Sequence, residues 1–272
     1  KFEATYPQYN ASFISAGTGI ALQYAKNGDA SAVLVHAPSV EAQFLEEAYG
    51  LCRKIVAYNF FVLVGPEDDP AGIKGMSPTE ALLKIAETGR ADNAIWVSRG
   101  DNSGTHTREK SLWQASGLDA TELARESWYL EAGSGMGATL RLTDEKQAYT
   151  LADTATYLKY ANEDLVKLNI LVNAGYELLN VYSVIAVNPE TVSGVEFEGA
   201  VDFIKFLASD EGQTIIAEFG SEEFDNLLFN PAVELLKENS TSEIGQWITD
   251  YAYIDGSECP SVYRDEHLEL YP

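Results

Sequence analysis

Hydrophobic and polar positions follow two different periods along this chain. Short apolar runs rich in β-branched residues, such as Ala32–Ala37 and Lys54–Gly65, are separated by segments whose apolar residues recur at helical spacing, such as Gly19–Lys26. Alternating strand and helix patterns of this kind are typical of sheets flanked by helices. We therefore predict an α/β protein with mixed sheets.

The same two patterns place the other elements. The clearest helix start is Ser77-Pro78-Thr79-Glu80, where serine caps the helix, proline takes its first position and glutamate completes a capping box. Further strands are predicted at Ser12–Ala16, Ala94–Ser98, Trp128–Leu130, Ala148–Leu151, Leu168–Val172 and Asn180–Val187. Further helices are predicted at Glu41–Tyr49, Gly104–Ser116, Ala200–Leu207 and Glu211–Phe219.

Two of the predicted strands are suited to linking separate lobes. Lys54–Gly65 leads into a compact α/β segment, and Asn180–Val187 leads out of it. A chain that crosses a hinge twice is what a two-lobed clamshell requires. We predict a first lobe of residues 1–61 and 183–272, with a C-terminal extension from about residue 232, and a second lobe of residues 62–182.

The charge balance argues against several classes of partner. The chain has 18 basic and 42 acidic residues, a formal net charge of −24. Such a surface repels nucleic acid and anionic lipid, and no apolar run reaches the roughly 18 residues that a membrane-spanning helix needs. The same field repels an anionic ligand, but beyond about 10 Å at 0.1 M salt it is largely screened. An anion site is therefore compatible with this charge if local donors supply the binding.

The cysteines and histidines do not form a metal site in the sequence. Cys52 and Cys259 allow either one disulfide or two free thiols, and we predict a bridge that pins the C-terminal extension to the first lobe. The histidines His36, His106 and His267 are isolated from one another and from both cysteines. We therefore expect no metal cation bound by the protein.

The most informative stretch is the loop Ser98–Thr105, which we call the Arg99 loop. It joins a predicted strand to a predicted helix, so the free backbone N–H groups of the first helical turn face outwards. Hydroxyls at Ser103 and Thr105, with Gly104 between them, add donors and permit close approach, which is the general pattern of an anion site. Arg99 would add a fixed positive charge with paired donors.

Two other interpretations of the Arg99 loop use the same residues. In a purely structural one, Ser103 caps the helix and Arg99 pairs with Asp101. In a catalytic one, a serine, His106 and Asp101 form a hydrolytic group. No GxSxG motif is present, and catalytic triads are not built from sequence neighbours.

Two glycine turns also offer backbone N–H groups. Ala16-Gly17-Thr18-Gly19 precedes a predicted helix, and Gly133–Gly137 follows a predicted strand. The alternative is that these glycines allow close packing of helix on strand. Neither turn is a Walker A loop or a GxGxxG dinucleotide motif, so nucleotide binding is not expected.

A series of short motifs follows in a fixed order over Ser12–Pro231. The motifs are Gly17-Thr18-Gly19 with Ala21-Leu22, Asn27-Gly28-Asp29, VLVHAP at residues 33–38 with Glu41, Tyr58-Asn59 within VAYNFFVLVGP, Asp69–Ile73, the Arg99 loop with Glu109 and Trp113, Trp128-Tyr129, Gly135–Gly137 and Ala148–Leu151. In this order they resemble the tungstate-binding proteins of bacterial and archaeal ABC importers.

The resemblance implies a type II periplasmic-binding-protein fold that holds a tetrahedral oxyanion, tungstate or molybdate, between two lobes. Hydroxyls, backbone N–H groups and arginine would bind the anion, and charge-assisted bonds would be the strongest. It further implies an ABC permease as partner, an extracytoplasmic monomer, no cofactor and no catalysis. The ligand-binding candidates are Thr18, Gly19, Arg99, Ser103, Gly104, Thr105, Tyr149, Thr150 and Thr154.

Three departures from the family pattern concern the ligand. The family has a threonine- and serine-rich TTTS segment ahead of Gly17 that this chain lacks; because Lys1-Phe2-Glu3 is not a signal peptide, we expect the natural sequence to begin upstream. Thr154 stands where the family has an arginine that would bind the anion. The acidic segment after Pro231 extends past the usual end. The alternative function is therefore a stand-alone sensor or scavenger of another anion or small polar solute, with a hydrolase as a third class.

Overall fold

The structure is a computed structural model that describes residues 1–220, 228–238 and 241–271. Helices flank sheets along the whole described chain. The strands are β1 (Ala32–Val35), β2 (Gly50–Gly65), β3 (Trp96–Ser98), β4 (Tyr129–Glu131), β5 (Thr150–Asp153), β6 (Asn169–Val172), β7 (Leu179–Val187) and β8 (Asn230–Pro231). The helices are α1 (Phe2–Thr5), α2 (Thr18–Asn27), α3 (Pro38–Glu46), α4 (Pro78–Arg90), α5 (Gly104–Ala115), α6 (Ala120–Leu123), α7 (Met136–Glu145), α8 (Thr154–Asn162), α9 (Phe197–Ala208), α10 (Asp210–Glu218), α11 (Val233–Glu238) and α12 (Glu243–Ala252).

The chain divides into two compact units. Unit 1 combines Lys1–Tyr58 with Val181–Pro272, and unit 2 is Asn59–Asn180. The strands β2 and β7 each contribute residues to both units.

The sheet of unit 1 is antiparallel. β1 pairs with β7, with Ala32 opposite Ala186, and β8 pairs with β2 at Ala57 and Tyr58. Helices α2 and α3 bury an apolar stripe against this sheet, with Phe44 fully enclosed. This packing holds α2, and with it the N–H groups at its start, against the sheet.

Unit 2 has two sheets. β5 and β6 both run antiparallel to the second half of β2, whereas β3 and β4 form a separate parallel pair. The helices around this pair enclose a tryptophan cluster, in which the rings of Trp96 and Trp113 meet edge to face at 5.1 Å. Because Trp96 and Trp113 are both fully buried, the cluster anchors β3 and α5, the elements on either side of the Arg99 loop.

One predicted strand is wrong. Residues 10–17 have no regular secondary structure, although Ser12–Ala16 was predicted as a strand. Phe13 and Ile14 are 84% and 54% exposed, so this segment has no buried face for a neighbouring strand to cover. The capping box at α4 is confirmed, because the Ser77 side chain accepts from the Glu80 N–H and the Glu80 carboxylate accepts from the Ser77 N–H.

The predicted disulfide is also wrong, because Cys52 and Cys259 are both free thiols and fully buried. The Cys52 thiol donates to the carbonyl of Arg264 at 3.3 Å. Burial, the largest cause, together with the nearby Cys259 raises the pKa of Cys52 to about 12. A thiol of such high pKa is a poor nucleophile at neutral pH, so Cys52 is a packing residue here.

The C-terminal segment is held to strand β2 by other means. The carboxylate of Glu258 accepts from Lys54 Nζ at 2.9 Å and from the Ile55 N–H at 2.6 Å. Arg53 donates to the Glu258 carbonyl, and Tyr271 donates to the Arg53 carbonyl. These contacts, which we call the Glu258 clamp, bind the extension to unit 1.

Within the described residues, the helices are all too short or too polar to span a membrane.

Candidate functional site

The Arg99 loop links β3 to α5 in unit 2. Ser103 is the N-cap of α5, and its side chain accepts from the His106 N–H at 3.3 Å. The Arg99 guanidinium bonds Asp101 through Nε at 3.0 Å and Nη2 at 2.9 Å. Its Nη1 donates to the Thr105 hydroxyl at 3.2 Å. The cap and the Arg99–Asp101 pair of the structural interpretation are thus both present, and they hold the arginine beside the start of the helix.

Asp101 is negative in this loop. Its carboxylate also accepts from the Ser103 N–H at 3.1 Å. Partial burial alone would raise the pKa of Asp101, but the hydrogen bonds from Ser103 and the charge of Arg99 outweigh it and hold the pKa below its ordinary value. An anion bound by Arg99 would therefore share the guanidinium with Asp101, and neutral donors of the helix start would have to supply part of the binding.

The loop does not assemble a hydrolytic group. His106 is 7% exposed, and its Nδ1 accepts from the Asn102 backbone N–H at 3.0 Å. Burial, followed by the nearby charge of Lys110, lowers the pKa of His106, so the ring is neutral at pH 7. Asp101 bonds Arg99 and Ser103 rather than the imidazole. These residues therefore do not form the serine–histidine–aspartate chain of hydrogen bonds that a serine hydrolase uses.

A buried carboxylate lies behind the loop. Glu109 of α5 is 1% exposed and accepts hydrogen bonds from both strands of the small sheet and from the Arg99 N–H. Burial raises the pKa of Glu109 more than its four donors lower it. The sequence had singled out Glu109 only as part of a motif. The available signal was an acidic residue on the buried stripe of α5, which also includes Thr105, Leu112 and Trp113.

Three further candidates of unit 2 have hydroxyls that already donate within the protein. Tyr149 is fully buried, and its hydroxyl donates to Asp69 at 2.9 Å. Thr150 donates to the Val97 carbonyl at 2.6 Å. Thr154, the first residue of α8, donates to the Phe60 carbonyl at 2.6 Å. A hydroxyl has one proton to donate, so none of the three donates to an anion in this conformation, and their ligand role stays a prediction.

Unit 1 supplies the candidates Thr18 and Gly19 at the start of α2. The N-cap is Gly17, and the helix start has no side-chain cap. The Thr18 residue is 5% exposed, and its hydroxyl has no hydrogen-bond partner among the described residues. The space around Gly19 is open on the side where a β-carbon would point. Uncapped N–H groups beside this buried hydroxyl are donors of the kind that bind an anion at a helix start.

The second glycine turn, Gly133–Gly137, favours its structural interpretation. α7 begins after the N-cap Gly135, and a β-carbon at Gly137 would collide with the hydroxyl of Tyr160. Arg141 lies over the ring of the same tyrosine, 5.6 Å from its centre. Close packing of α7 on α8 therefore accounts for this glycine.

The described residues also contain no group of three or more His, Cys, Asp or Glu side chains arranged to hold a metal ion.

A mixed α/β fold with donor-rich helix starts is compatible with the class of periplasmic-type solute-binding proteins, which comparison with known proteins identifies. The family model for the PBP superfamily domain matches residues 1–211. A Haloferax volcanii protein, whose name describes an ABC transporter anion-binding protein, is 42% identical over 241 residues, which are 86% of this chain and 66% of the relative. The tungstate-binding protein TupA of Peptoclostridium acidaminophilum is 40% identical over 81% of this chain and 75% of its own length.

A solved structure agrees with these relatives. The tungstate-binding protein TupA of Desulfovibrio alaskensis G20 superposes with a TM-score of 0.72 at 40% identity, covering 85% of this chain and 89% of that one. The chain therefore belongs to the PBP superfamily and, within it, to the tungstate-binding protein family of ABC importers. The predicted fold class and family are confirmed.

Proposed function

We propose that this protein is an extracytoplasmic solute-binding protein that captures a tetrahedral oxyanion, tungstate or molybdate, for an ABC importer. The observation that carries the proposal is the Thr18 hydroxyl, which is buried at an uncapped helix start and has no partner in the part of the chain that the structure describes. Leaving a buried hydroxyl unsatisfied costs about 1–3 kcal/mol, and such a group in a native protein calls for an explanation. An oxyanion accepting from Thr18 and the first N–H groups of α2 supplies one.

The Arg99 loop supports the same ligand class. Arg99 lies beside the start of α5 with its guanidinium oriented by Asp101 and Thr105. A guanidinium with fixed donors recognises oxyanions through charge-assisted hydrogen bonds. The names of the relatives, an anion-binding and a tungstate-binding protein, point to the same chemistry.

The proposed partner is an ABC permease, and the proposed role is binding without catalysis. His106 accepts from a backbone N–H and Asp101 bonds Arg99, so these two residues are not arranged as in a hydrolase. A stand-alone sensor or scavenger on the same scaffold would bind the same class of ligand without a permease. Co-purification with a permease encoded beside this protein separates the two roles.

The first test is calorimetric titration with tungstate, molybdate, sulfate and phosphate. We expect tungstate or molybdate to bind most tightly. Arg99→Ala removes a charge-assisted hydrogen bond and should weaken binding by about 1.5–3 kcal/mol, which is roughly one to two decades in Kd.

Arg125→Ala is the matched control for this variant. Arg125 pairs with Glu122 on the surface of unit 2, and its side chain is 70% exposed. The control changes the net charge by the same amount as Arg99→Ala, so it accounts for long-range electrostatics. Equal affinities for the two variants would show that Arg99 does not bind the anion.

A further inference from the structure

The buried carboxylate of Glu109 accepts four hydrogen bonds. The bonds to Oε1 come from Trp96 Nε1 at 2.8 Å and the Tyr129 hydroxyl at 2.6 Å. The bonds to Oε2 come from the Ser98 hydroxyl at 3.0 Å and the Arg99 N–H at 3.3 Å. One side chain of α5 thus binds β3, β4 and the first residue after β3, which is Arg99 itself.

Fold stability alone is a weak explanation for this carboxylate. Among the described residues no Lys, Arg or His side chain forms an ion pair with Glu109, because the Arg99 guanidinium bonds Asp101 instead. Burying a charge is unfavourable even when it is hydrogen-bonded, and well-packed apolar residues often stabilise as much or more. Unlike an apolar residue, the carboxylate accepts from the Arg99 N–H, and it thereby fixes the backbone at the residue that follows β3.

We propose that Glu109 is a positioning residue for Arg99. By accepting from Ser98 and from the Arg99 N–H, it holds the backbone from which the guanidinium extends towards Asp101 and Thr105. It acts on the anion through Arg99 and does not touch the ligand. This inference rests on the proposed function, in which Arg99 binds the oxyanion.

The substitution Glu109→Gln isolates this role. Glutamine has nearly the same shape but only one acceptor oxygen, and its amide NH2 donates instead. The Trp96 Nε1–H and the Arg99 N–H can only donate, and they meet different oxygens of Glu109. The shorter bonds lie on the Trp96 and Tyr129 side, so the glutamine oxygen should take that side. The amide NH2 then faces the Arg99 N–H, which is left without an acceptor.

A double-mutant cycle measures the coupling between the two residues. Kd for tungstate is determined by calorimetry for wild type, Glu109→Gln, Arg99→Ala and the double variant. We expect Glu109→Gln to weaken binding about tenfold, as for one buried donor left unpaired. We expect it to add nothing in the Arg99→Ala background, because contacts that act through one group are not additive.

A buried polar residue of the same unit provides the control. Thr143 is fully buried in α7, and its hydroxyl donates to the Thr139 carbonyl at 2.8 Å. Thr143→Val should lower the unfolding temperature without changing Kd. A purely structural Glu109 would behave in the same way: an unchanged Kd in Glu109→Gln, or losses that simply add in the double variant, would overturn the proposal.

Hydrogen exchange of the ligand-free protein gives a readout that needs no anion. The amides of residues 98–105 should exchange faster in Glu109→Gln than in wild type or Thr143→Val, since the Arg99 N–H has lost its acceptor. If wild type binds none of the four oxyanions, the proposed function fails, and unchanged exchange in Glu109→Gln would then refute the positioning role separately. Should Glu109→Gln not fold, Ser98→Ala removes one bond to Oε2, and a Kd equal to wild type would count against the proposal.

Discussion

The Thr18 hydroxyl is buried and has no hydrogen-bond partner among the described residues. Thr18→Val replaces that hydroxyl with a methyl group of similar size. We expect the free energy of unfolding to stay the same or to rise by up to about 1 kcal/mol, because an unsatisfied polar group is removed. Oxyanion affinity should fall about tenfold, because a donor to the ligand is lost.

Thr143→Val is the contrasting variant for this prediction. The Thr143 hydroxyl has an acceptor within α7, so its loss should lower the free energy of unfolding by about 0.5–1.5 kcal/mol and leave affinity unchanged. Urea denaturation and calorimetric titration of both variants give the two quantities. If Thr18→Val lowers the free energy of unfolding as much as Thr143→Val does, or binds the anion with the wild-type Kd, the Thr18 hydroxyl does not donate to the ligand.

Single residues were predicted from the sequence with uneven success. The Ser103 cap follows from local pattern, because the cap lies within a few residues of the N–H groups that it satisfies. The bonds of Tyr149, Thr150 and Thr154 depend on strand register and on partners such as Asp69 and Phe60, which local sequence does not specify. Glu109 was missed as a functional residue for the same reason: its donors on β3 and β4 come from separate parts of the chain.

At the scale of elements, the predicted helices and strands overlap observed ones, and the strand at Ser12–Ala16 is the exception. Helices α2, α4 and α5 begin within a residue or two of their predicted starts, since caps and glycines mark them. Ser12–Ala16 has a strand-like composition but no neighbouring strand. A strand is stabilised by cross-strand partners rather than by its own residues, so composition alone predicted an element that does not form.

The Glu258 clamp is the element-scale feature that the sequence did not predict. Its carboxylate pairs with Lys54, whose side chain is 5% exposed, and caps the Ile55 N–H. Glu258→Ala would leave a buried ammonium and a buried N–H without their acceptor. Removing one partner of a buried pair typically costs about 3–5 kcal/mol, and we expect a loss of this size in urea denaturation.

Glu269→Ala provides the comparison on the same C-terminal segment. Glu269 contacts Lys205 and His267, each at 3.1 Å, and the side chains of Lys205 and Glu269 are 35% and 55% exposed. An exposed pair contributes about 0–1 kcal/mol, so this variant should be close to wild type. Similar losses for the two variants would mean that the Glu258 clamp does not hold the extension to unit 1.

At the scale of the whole molecule, the fold class follows from the alternation of elements, and the family follows from the order of the motifs. Both are properties of many residues, so errors at single positions do not change them. The identity of the ligand does not follow in the same way, because the proposed site depends on a few donors, such as Thr18 and Arg99, whose directions are set by tertiary packing. At position 154, where the resemblance implies an arginine, the Thr154 hydroxyl donates to the Phe60 carbonyl, so its effect on the ligand stays a prediction.

The net charge of −24 leads to a prediction about salt. Like charges on one compact molecule repel each other and destabilise the folded state, and the screening length shortens from about 10 Å at 0.1 M salt to about 3 Å at 1 M. We therefore expect the unfolding temperature to rise as potassium chloride is increased over that range. The association rate of tungstate should rise as well, because screening weakens the repulsion between the protein and a dianion. Thermal unfolding and stopped-flow measurements across the series test both effects. An unfolding temperature that stays constant in potassium chloride would show that charge repulsion does not limit the stability of this protein.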